Sequence, residues 1–249
     1  MITQYLIICP LIFTAGFIDA IAGGGGLISL PAYLLAGLPV HQAIGTNKMS
    51  SAMGTTTATI KFAANGFIHW KSAIPCVIFA AAGSYIGSNL SMMVSEKIFS
   101  IFMLCALPVI AFYVLKTKKL DNVSETVYTF RTYAICGAAA FTVGMYDGFY
   151  GPGTGTFLIL ALTGLARISL NQAAGTTKII NLTTNLMALT VFLLHKQVVI
   201  PLGLAAGVFS IAGNYIGASF FTKKGTKFVR PVIFTVLALL AVKIITQMM

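Results

Sequence analysis

The length, composition and charge of this chain place it in a membrane. Of its 249 residues, 57% are hydrophobic and 8% are charged, against about 25% charged residues in an average soluble domain. Together with a mean hydropathy of +0.91, this composition excludes a water-soluble globule. The formal charge of +11 comes mostly from Lys and Arg in short loops between apolar runs, which is typical of cytoplasmic loops and not of a nucleic-acid groove. We therefore expect the chain to lie in a lipid bilayer and to have no nucleic-acid partner.

Ten apolar segments follow one another along the chain, five in each half, and all are predicted to be helices. They span residues 4–22, 27–37, 43–65, 72–93, 97–115, 131–148, 155–165, 173–194, 198–221 and 228–248. The first segment lacks the basic start of a cleaved signal peptide and is interpreted as a retained membrane segment. The second segment of each half has about 11 residues, which cover only about 16 Å of a hydrocarbon core of about 30 Å. Each of these two segments is predicted to be a half-helix or a re-entrant arm.

The two halves carry the same motifs in the same order. The matching stretches are 16–26 with 144–155, 42–48 with 172–178, His69 with His195, Pro75 with Pro201, and 83–87 with 213–217. Several blocks in one order indicate a duplicated unit, with residues 1–120 as the first repeat and 121–249 as the second. The glycine-rich stretches of the two repeats lie where the chain must turn. Because broken backbone at membrane depth is tolerated only inside protein or beside water, we expect both in the interior.

Basic residues near the loops predict the orientation of the chain. Two groups flank loops that are predicted to be cytoplasmic: Lys116, Lys118, Lys119 and Arg131, and Lys223, Lys224, Lys227 and Arg230. Lys61 and Lys71 place the loop between them inside, whereas the equivalent loop at His195 and Lys196 is expected outside. Matching loops on opposite sides mean that the repeats have inverted topology. The predicted fold is an all-α polytopic membrane protein, and each repeat has one glycine-broken helical hairpin and three full transmembrane helices.

Two carboxylates, Asp19 and Asp147, lie within apolar segments at equivalent places in the two halves. A buried carboxylate costs at least about 2.5 kcal/mol on insertion scales, so each needs a partner or a task. One interpretation is that each accepts hydrogen bonds from its own glycine loop or pairs with a basic neighbour. The other is that one or both exchange a proton during transport, since burial and nearby charges shift the protonation of a carboxyl group.

Lys48 and Lys178 are the matching cations, each after a Gly-Thr-X step near the start of a long helix. Either each lysine extends to the lipid headgroups, or the two ammonium groups hold an anion together with helix N-termini and neighbouring donors. The second interpretation predicts a substrate site that consists of Lys48, Thr46, Asn47, Lys178, Thr176, Thr177, Gly24, Gly25, Gly153 and Thr154. Asp19 and Asp147 would then orient the glycine loops or carry the coupling proton.

The remaining motifs have simpler interpretations. Polar stretches at 50–59 and 181–185 either form hydrogen bonds between helices or line a substrate path, and the glycine pairs at 83–87 and 213–217 predict close helix packing. His69 and His195 are expected at the membrane interface. No Gly-Lys-Ser/Thr step follows the glycine runs, which excludes a P-loop. No metal-ligand spacing and no nucleophile with a base are present, so we predict no cofactor, no metal site and no catalytic residue.

The doubled motif resembles the TauE/SafE sulfite exporter family of bacterial inner-membrane permeases. The resemblance depends on Gly-x-x-Asp leading into a glycine-rich break, at 16–26 and 144–155, and on Ala-x-Gly-Thr-Asn/Thr-Lys at 43–48 and 173–178. It covers nearly the whole chain. The second copy departs from the glycine-rich form at Pro152 and Thr154, so equal contributions of the two loops are not implied.

The resemblance implies a multi-pass permease of the bacterial inner membrane. Its substrates would be small sulfur-containing anions, such as sulfite, thiosulfate or sulfonates, and the mechanism would be secondary transport linked to the proton gradient. The residues alone leave three alternatives open: a cation carrier or channel that uses Asp19 and Asp147, an intramembrane enzyme, and a non-transporting scaffold subunit. Because the sequence contains no nucleophile with a base, we favour a transporter over an enzyme. A homodimer is compatible with the sequence.

Overall fold

The computed structural model describes residues 2–95 and 126–224, and within these ranges the chain forms eight helices and no strand. The helices are α1 Ile2–Ala22, α2 Gly26–Leu35, α3 Val40–Ala64, α4 Trp70–Met93, α5 Phe130–Phe149, α6 Thr154–Gly164, α7 Leu170–Leu194 and α8 Ile200–Lys224. They coincide with eight of the ten predicted segments, which confirms the all-α class for this part of the chain. The predicted segments 97–115 and 228–248 lie outside the described residues.

Four of these helices are long and apolar enough to cross a membrane. They are α1 over Gln4–Ala22, α4, α7, and α8 over Ile200–Lys223. Helix α3 is as long as α7, with 25 residues in each. Its lower apolar content comes from hydroxyl and amide side chains, many of which are buried in the protein interior. Helices of both halves therefore support the membrane location that the composition predicts.

Helices α2 and α6 are short arms that double back on the helix before them. With 10 and 11 residues, they are about 15 and 16 Å long. In the first half, Gln4 Nε2 at the start of α1 donates to Ala36 O just after α2, at 3.1 Å. In the second half, Ser169 N after α6 donates to Thr126 Oγ1 before α5, at 2.8 Å. Each arm thus returns to the end from which its partner helix started, and the prediction of a short second segment is confirmed.

Helices α4 and α5 run parallel and touch through glycines. Gly83 and Gly87 lie directly against the carbonyl oxygens of Phe141 and Met145, so that a Cβ atom at either glycine would overlap the facing backbone. Small residues allow this approach, because only they leave room for two helix backbones in contact. The close packing predicted for this glycine pair is confirmed.

Helices α1 and α8 form the corresponding parallel pair. Gly213 and Gly217 of α8 lie against the carbonyl oxygens of Phe13 and Phe17 of α1. The second glycine pair thus has the same role as the first. In each pair the fourth helix of one half packs against the first helix of the other half, so the two halves interlock.

Helices α3 and α7 run antiparallel along the centre of the bundle. Gly45, near the start of α3, packs against the carbonyl oxygen of Gln197, which follows α7. Gly175, near the start of α7, packs against the carbonyl oxygen of Phe67, which follows α3. The loop after α3 and the loop after α7 therefore lie at opposite ends of the molecule.

The two glycine-rich breaks meet in the middle of the bundle. Gly23 has φ +71° and Gly151 has φ +99°, conformations that L side chains rarely adopt. A Cβ atom on Gly155 would lie 2.5 Å from the Cα of Gly23, so the two turns touch through main-chain atoms. Thr156 Oγ1 donates to Ala22 O at 2.9 Å and joins the turns further. The expectation that the breaks lie in the interior is confirmed.

Candidate functional site

Two ion pairs, one buried and one partly buried, join the halves at the level of the glycine breaks. Lys48 Nζ of α3 lies 2.8 Å from Asp147 Oδ2 of α5. Lys178 Nζ of α7 lies 2.9 Å from Asp19 Oδ2 of α1. Each lysine therefore neutralises the carboxylate of the opposite half, and the two pairs correspond under the sequence repeat.

Both lysines are inside the protein and do not extend to lipid headgroups. Lys48 and Lys178 are 2% and 1% exposed. Each ammonium lies more than two turns beyond the start of its helix, because α3 begins at Val40 and α7 at Leu170. Each ammonium contacts a carboxylate of the opposite half. The interpretation of the lysines as interfacial residues is excluded, and a buried ammonium is stable here because its charge is paired.

The two carboxylates differ in their hydrogen bonds. Asp147 accepts from Lys48 on Oδ2 and from Thr154 Oγ1 on Oδ1, the latter at 2.7 Å. Lys178 Nζ donates to Asp19 Oδ2 and to the main-chain oxygen of Asp19. Asp19 Oδ1 has no hydrogen-bond partner among the described residues. The interpretation of the carboxylates as partners of basic residues is confirmed, and proton exchange stays a prediction.

A polar cavity borders the ion pairs. Its volume is about 40 Å³. A water molecule needs about 10–15 Å³ on this measure, so the cavity accommodates a few waters or one very small solute. Side chains from both halves line it, among them Asp19, Asn47, Lys48, Asp147, Asn181 and Asn214. The cavity thus brings one ammonium, two carboxylates and several carboxamides to one place.

Several polar atoms on the cavity wall have no protein partner. Within the described residues, Ser29 Oγ and the Oδ1 atoms of Asn47, Asn181 and Asn214 are buried without a hydrogen bond. Leaving such an atom unsatisfied costs about 1–3 kcal/mol. The unpaired carboxamide atoms are acceptor oxygens, which can accept a hydrogen bond from water, whereas an oxyanion can bind only at an NH₂ donor of these side chains. The wall is therefore suited to a small polar guest.

The predicted substrate site is only partly assembled around this cavity. Asn47, Lys48, Gly25 and Thr154 line it, together with Asp19 and Asp147. The other predicted residues lie outside its lining: Thr46, Thr176, Thr177, Lys178, Gly24 and Gly153. Lys178 lies behind Asp19, to which it is bonded. Thr46 Oγ1 accepts a hydrogen bond from Val199 N at 3.0 Å, at the start of α8.

Three of these outlying residues have other surroundings. The hydroxyl groups of Thr176 and Thr177 are buried, and neither has a partner in the described part of the chain. Gly153 precedes α6 in a left-handed conformation, with φ +85°. Gly153 thus lies at the start of α6, and Thr176 and Thr177 lie in the first half of α7. Asn47 and Lys48, in contrast, line the cavity.

Other cavity residues were not among the predicted site residues. Among them are Ser29, Asn181, Asn185, Ser210 and Asn214. The polar stretch at 181–185 indicated Asn181 and Asn185, since lining of a substrate path was one of the two interpretations of this stretch. Asn214 lies within the second glycine pair, at the place of Ser84 in the first. A polar residue inside such a packing motif is the signal that could have revealed it.

The polar stretch of α3 serves both purposes that its sequence allows. Ser51 and Thr55 line the cavity. Thr59 Oγ1 donates to Lys178 O of α7 at 3.2 Å, and Tyr33 OH of α2 donates to Ser50 Oγ at 2.8 Å. Hydrogen bonding between helices and lining of a cavity therefore occur on one helix, and Ser50 takes part in both.

The described residues contain no group of three or more His, Cys, Asp or Glu side chains that could hold a metal ion. His69 stacks on Tyr128 with ring centroids 4.0 Å apart. His195 follows the last turn of α7, and one ring nitrogen lies 2.9 Å from Val191 O. Both histidines are therefore at helix ends and away from the cavity.

Comparison with known proteins identifies relatives along nearly the whole chain. The family model for the sulfite exporter TauE/SafE matches residues 8–244. A Sinorhizobium protein, probable membrane transporter protein ORF9, is 34% identical over 241 residues, which are 94% of this chain and 90% of that protein. A probable membrane transporter protein of Haemophilus influenzae is 35% identical over 222 residues, 89% of this chain and 86% of its own. Probable membrane transporter protein YfcA of Escherichia coli K12 is 32% identical over 237 residues, 93% of this chain and 86% of its own.

No solved structure matches the chain significantly. The family model nevertheless covers every described helix at least in part, along with both motif copies that carry the resemblance. The relatives are named as membrane transporters, and the described helices include four that could span a membrane. This chain therefore belongs to the TauE/SafE sulfite exporter family and is a membrane transporter, not an enzyme.

Proposed function

We propose that this transporter moves a small sulfur-containing anion, of the sulfite, thiosulfate or sulfonate class, across the bacterial inner membrane in a proton-coupled step. The observation that carries the proposal is the polar cavity whose wall holds the Lys48 ammonium beside Asn47 and Asn181. Ammonium and carboxamide groups are donors that suit sulfur oxyanions. The family name supports the sulfur class, and the small volume favours an anion of few atoms.

The repeat is proposed to have inverted topology in the membrane. Parallel packing of α1 with α8 and of α4 with α5, and antiparallel packing of α3 with α7, support this arrangement. Each helix would then run opposite to its counterpart in the other half. Secondary transporters built in this way place the substrate where discontinuous helices meet, and here the breaks meet beside the cavity.

The ion pairs provide a physical basis for coupling to protons. Each ammonium is balanced by a carboxylate, so an entering anion adds an unbalanced negative charge to a poorly solvated site. Protonation of one carboxylate leaves its lysine with a net positive charge, which attracts the anion. A proton and a monovalent anion therefore bind together, and their joint movement carries no net charge.

The proposal can be tested with the purified full chain in proteoliposomes. Radiolabelled sulfite, thiosulfate, sulfoacetate and a non-sulfur carboxylate are offered under an imposed pH gradient, with current recorded in parallel. We expect accumulation of at least one sulfur anion without current carried by Na⁺ or K⁺. Uptake of only the carboxylate would overturn the substrate class, and a current carried by Na⁺ or K⁺ would favour the cation carrier.

Two lysines of α3 supply a matched comparison for the same assay. Lys48→Ala removes the cavity ammonium and is expected to abolish uptake. Lys61→Ala removes an ammonium that lies 3.5 Å above the Tyr215 ring, away from the cavity, and is expected to leave uptake intact. Normal transport in both Lys48→Ala and Lys178→Ala would overturn the lysine site.

A further inference from the structure

We propose that Asp19, and not its counterpart Asp147, is the carboxylate that takes up and releases the coupling proton. The inference rests on the proposed proton coupling and assigns it to one atom, Asp19 Oδ1. The two side chains are equivalent in sequence, but they are 17% and 6% exposed. Asp19 is therefore the more accessible carboxylate of the two.

Free hydrogen-bonding capacity distinguishes the carboxylates further. Both oxygens of Asp147 are occupied, Oδ2 by Lys48 and Oδ1 by the Thr154 hydroxyl. The position that corresponds to Thr154 in the first half is Gly26, which has no side chain. Asp19 Oδ1 consequently has no partner in the described residues, and a proton can bind there without displacing a hydrogen bond.

The cavity also extends along only one of the two equivalent helices. On α1 it follows Ile12, Ala15, Gly16 and Asp19, which is two turns of one helix face. On α5 it reaches Asp147 alone among the residues of that helix. Water in the cavity therefore has access to Asp19 from along the helix, whereas it meets Asp147 only at the end of α5.

Helix packing explains why this cavity does not extend along α5. Gly144 of α5 packs against Ala80 of α4, and Gly148 against the backbone of Ser84. The Ser84 hydroxyl is turned away and donates to Thr184 O at 2.8 Å. Beside α1, the corresponding partner helix α8 carries the polar residues Ser210 and Asn214 at these two places, and both line the cavity.

The local charges determine what a proton on Asp19 does. In the described part of the chain, the titratable groups that contact Asp19 or share its cavity are Lys178, Lys48 and Asp147. A proton moves from cavity water to Oδ1, and the Lys178–Asp19 pair changes from neutral to a net charge of +1. Lys178 retains its hydrogen bond to the Asp19 main-chain oxygen. The positive charge therefore stays beside the cavity and attracts the anion, and loss of the proton expels it.

Two transport assays on matched variants test this assignment. Uphill uptake on a pH gradient requires proton exchange, whereas exchange of labelled for unlabelled anion at equal pH does not. We expect Asp19→Asn to lose uphill uptake and to retain exchange. We expect the folded Asp147→Asn protein to take up the anion uphill in response to the pH gradient. Uphill uptake by Asp19→Asn, or exchange without a pH response in Asp147→Asn, would overturn the assignment.

A measurement on the unmodified protein removes the dependence on folding of a variant. Dicyclohexylcarbodiimide adds to a protonated carboxyl group that it can reach, and peptide mapping by mass spectrometry locates the adduct. We expect the adduct on Asp19, in decreasing amount as the pH rises and as sulfite or thiosulfate is added. An adduct on Asp147 and not on Asp19 would overturn the inference.

Failure of this inference can be told from failure of the proposed function. If the unmodified protein does not accumulate any anion on a pH gradient, proton coupling itself is wrong, and the assignment of Asp19 is overturned with it. If the unmodified protein does accumulate an anion and Asp19→Asn does so equally well, only the assignment is wrong.

Discussion

Lys48 Nζ in the first half lies 2.8 Å from Asp147 Oδ2 in the second, and the equivalent residues Lys178 and Asp19 make the same contact with the roles of the halves exchanged. The four charges cancel in a site where both lysines are buried. This arrangement explains how a chain with few acidic residues can keep two lysines inside a membrane protein. It also connects the stability of the fold to the chemistry that we propose for transport.

Breaking one ion pair should destabilise the fold more than removing it altogether. Lys48→Met or Asp147→Leu alone leaves a buried charge without its partner and is expected to cost about 3–5 kcal/mol. The double variant leaves no unpaired charge and should lose less than the sum of the two. Thermal unfolding of the detergent-purified proteins measures the differences. If the loss of stability in the double variant equals the sum of the losses in the two single variants, the two charges do not stabilise each other.

A methyl group at the contact between α4 and α5 should prevent the two helices from packing. In Gly87→Ala, the new Cβ atom would overlap the carbonyl oxygen of Met145, which belongs to helix backbone and cannot move alone. We expect little folded protein by size-exclusion chromatography. Gly164→Ala is the control, because nothing lies within 4 Å of a Cβ atom there. That variant should match the parent or gain about 0.5–1 kcal/mol, and equal behaviour of the two variants would contradict the close contact.

Substitution of Thr46 should separate a structural role from a role in substrate binding. Thr46→Val removes the hydroxyl that accepts from Val199 N at the start of α8, which should cost about 1 kcal/mol. Thr46→Ser keeps the acceptor and should be close to the parent. Thermal unfolding and KM for uptake are measured together. A raised KM with unchanged stability would instead support the substrate role that the sequence predicts for Thr46.

Asn214 should affect transport, whereas Asn89 should not. Both residues donate from Nδ2 to the carbonyl oxygen four residues earlier, but of the two only Asn214 lines the cavity. We expect Asn214→Ala to raise KM for the transported anion by about two- to tenfold, since the unpaired Oδ1 can hold a water molecule at the cavity wall and a hydrogen bond contributes about 0.5–1.5 kcal/mol. Asn89→Ala is the matched control. Equal KM values in the two variants would exclude Asn214 from the site.

Cysteine labelling should place the loops after α3 and α7 on opposite sides of the membrane. Asn65 and Lys196 are exposed and lie at opposite ends of the molecule, so Asn65→Cys and Lys196→Cys offer accessible probes. A membrane-impermeant maleimide applied from outside should label Lys196→Cys in intact cells and Asn65→Cys only after permeabilisation. A parent without its native cysteines serves as the background. Labelling of both from one side would contradict inverted topology.

Much of the fold could be predicted because the determining signals are local. Apolar runs set the helices, and the length of each second segment showed that it was too short to span. The glycine pair Gly83 and Gly87 predicted a close helix contact, because no other residue type allows backbones to touch. The interior position of the glycine breaks followed from the need to shield unpaired backbone groups from lipid.

The site was harder to predict, because it depends on which helices meet. Asp19 is close in sequence to its own glycine loop, and nothing in the chain indicates that its partner is Lys178, which is 159 positions away. Only the antiparallel packing of α3 and α7 brings each lysine to the carboxylate of the other half. The difference between Thr154 and Gly26 was visible in the sequence. Its effect on Asp147 and Asp19 required the geometry of both carboxylates.

The crossed ion pairs also bear on how such a duplicated protein can be assembled. A separate half would contain one ammonium and one carboxylate without the ion-pair partners that they have in the full chain. We therefore expect the first half to insert stably only after the second half has been synthesised. A truncated chain should be degraded. Two separately expressed halves, in contrast, should rescue each other when they are produced in the same cell.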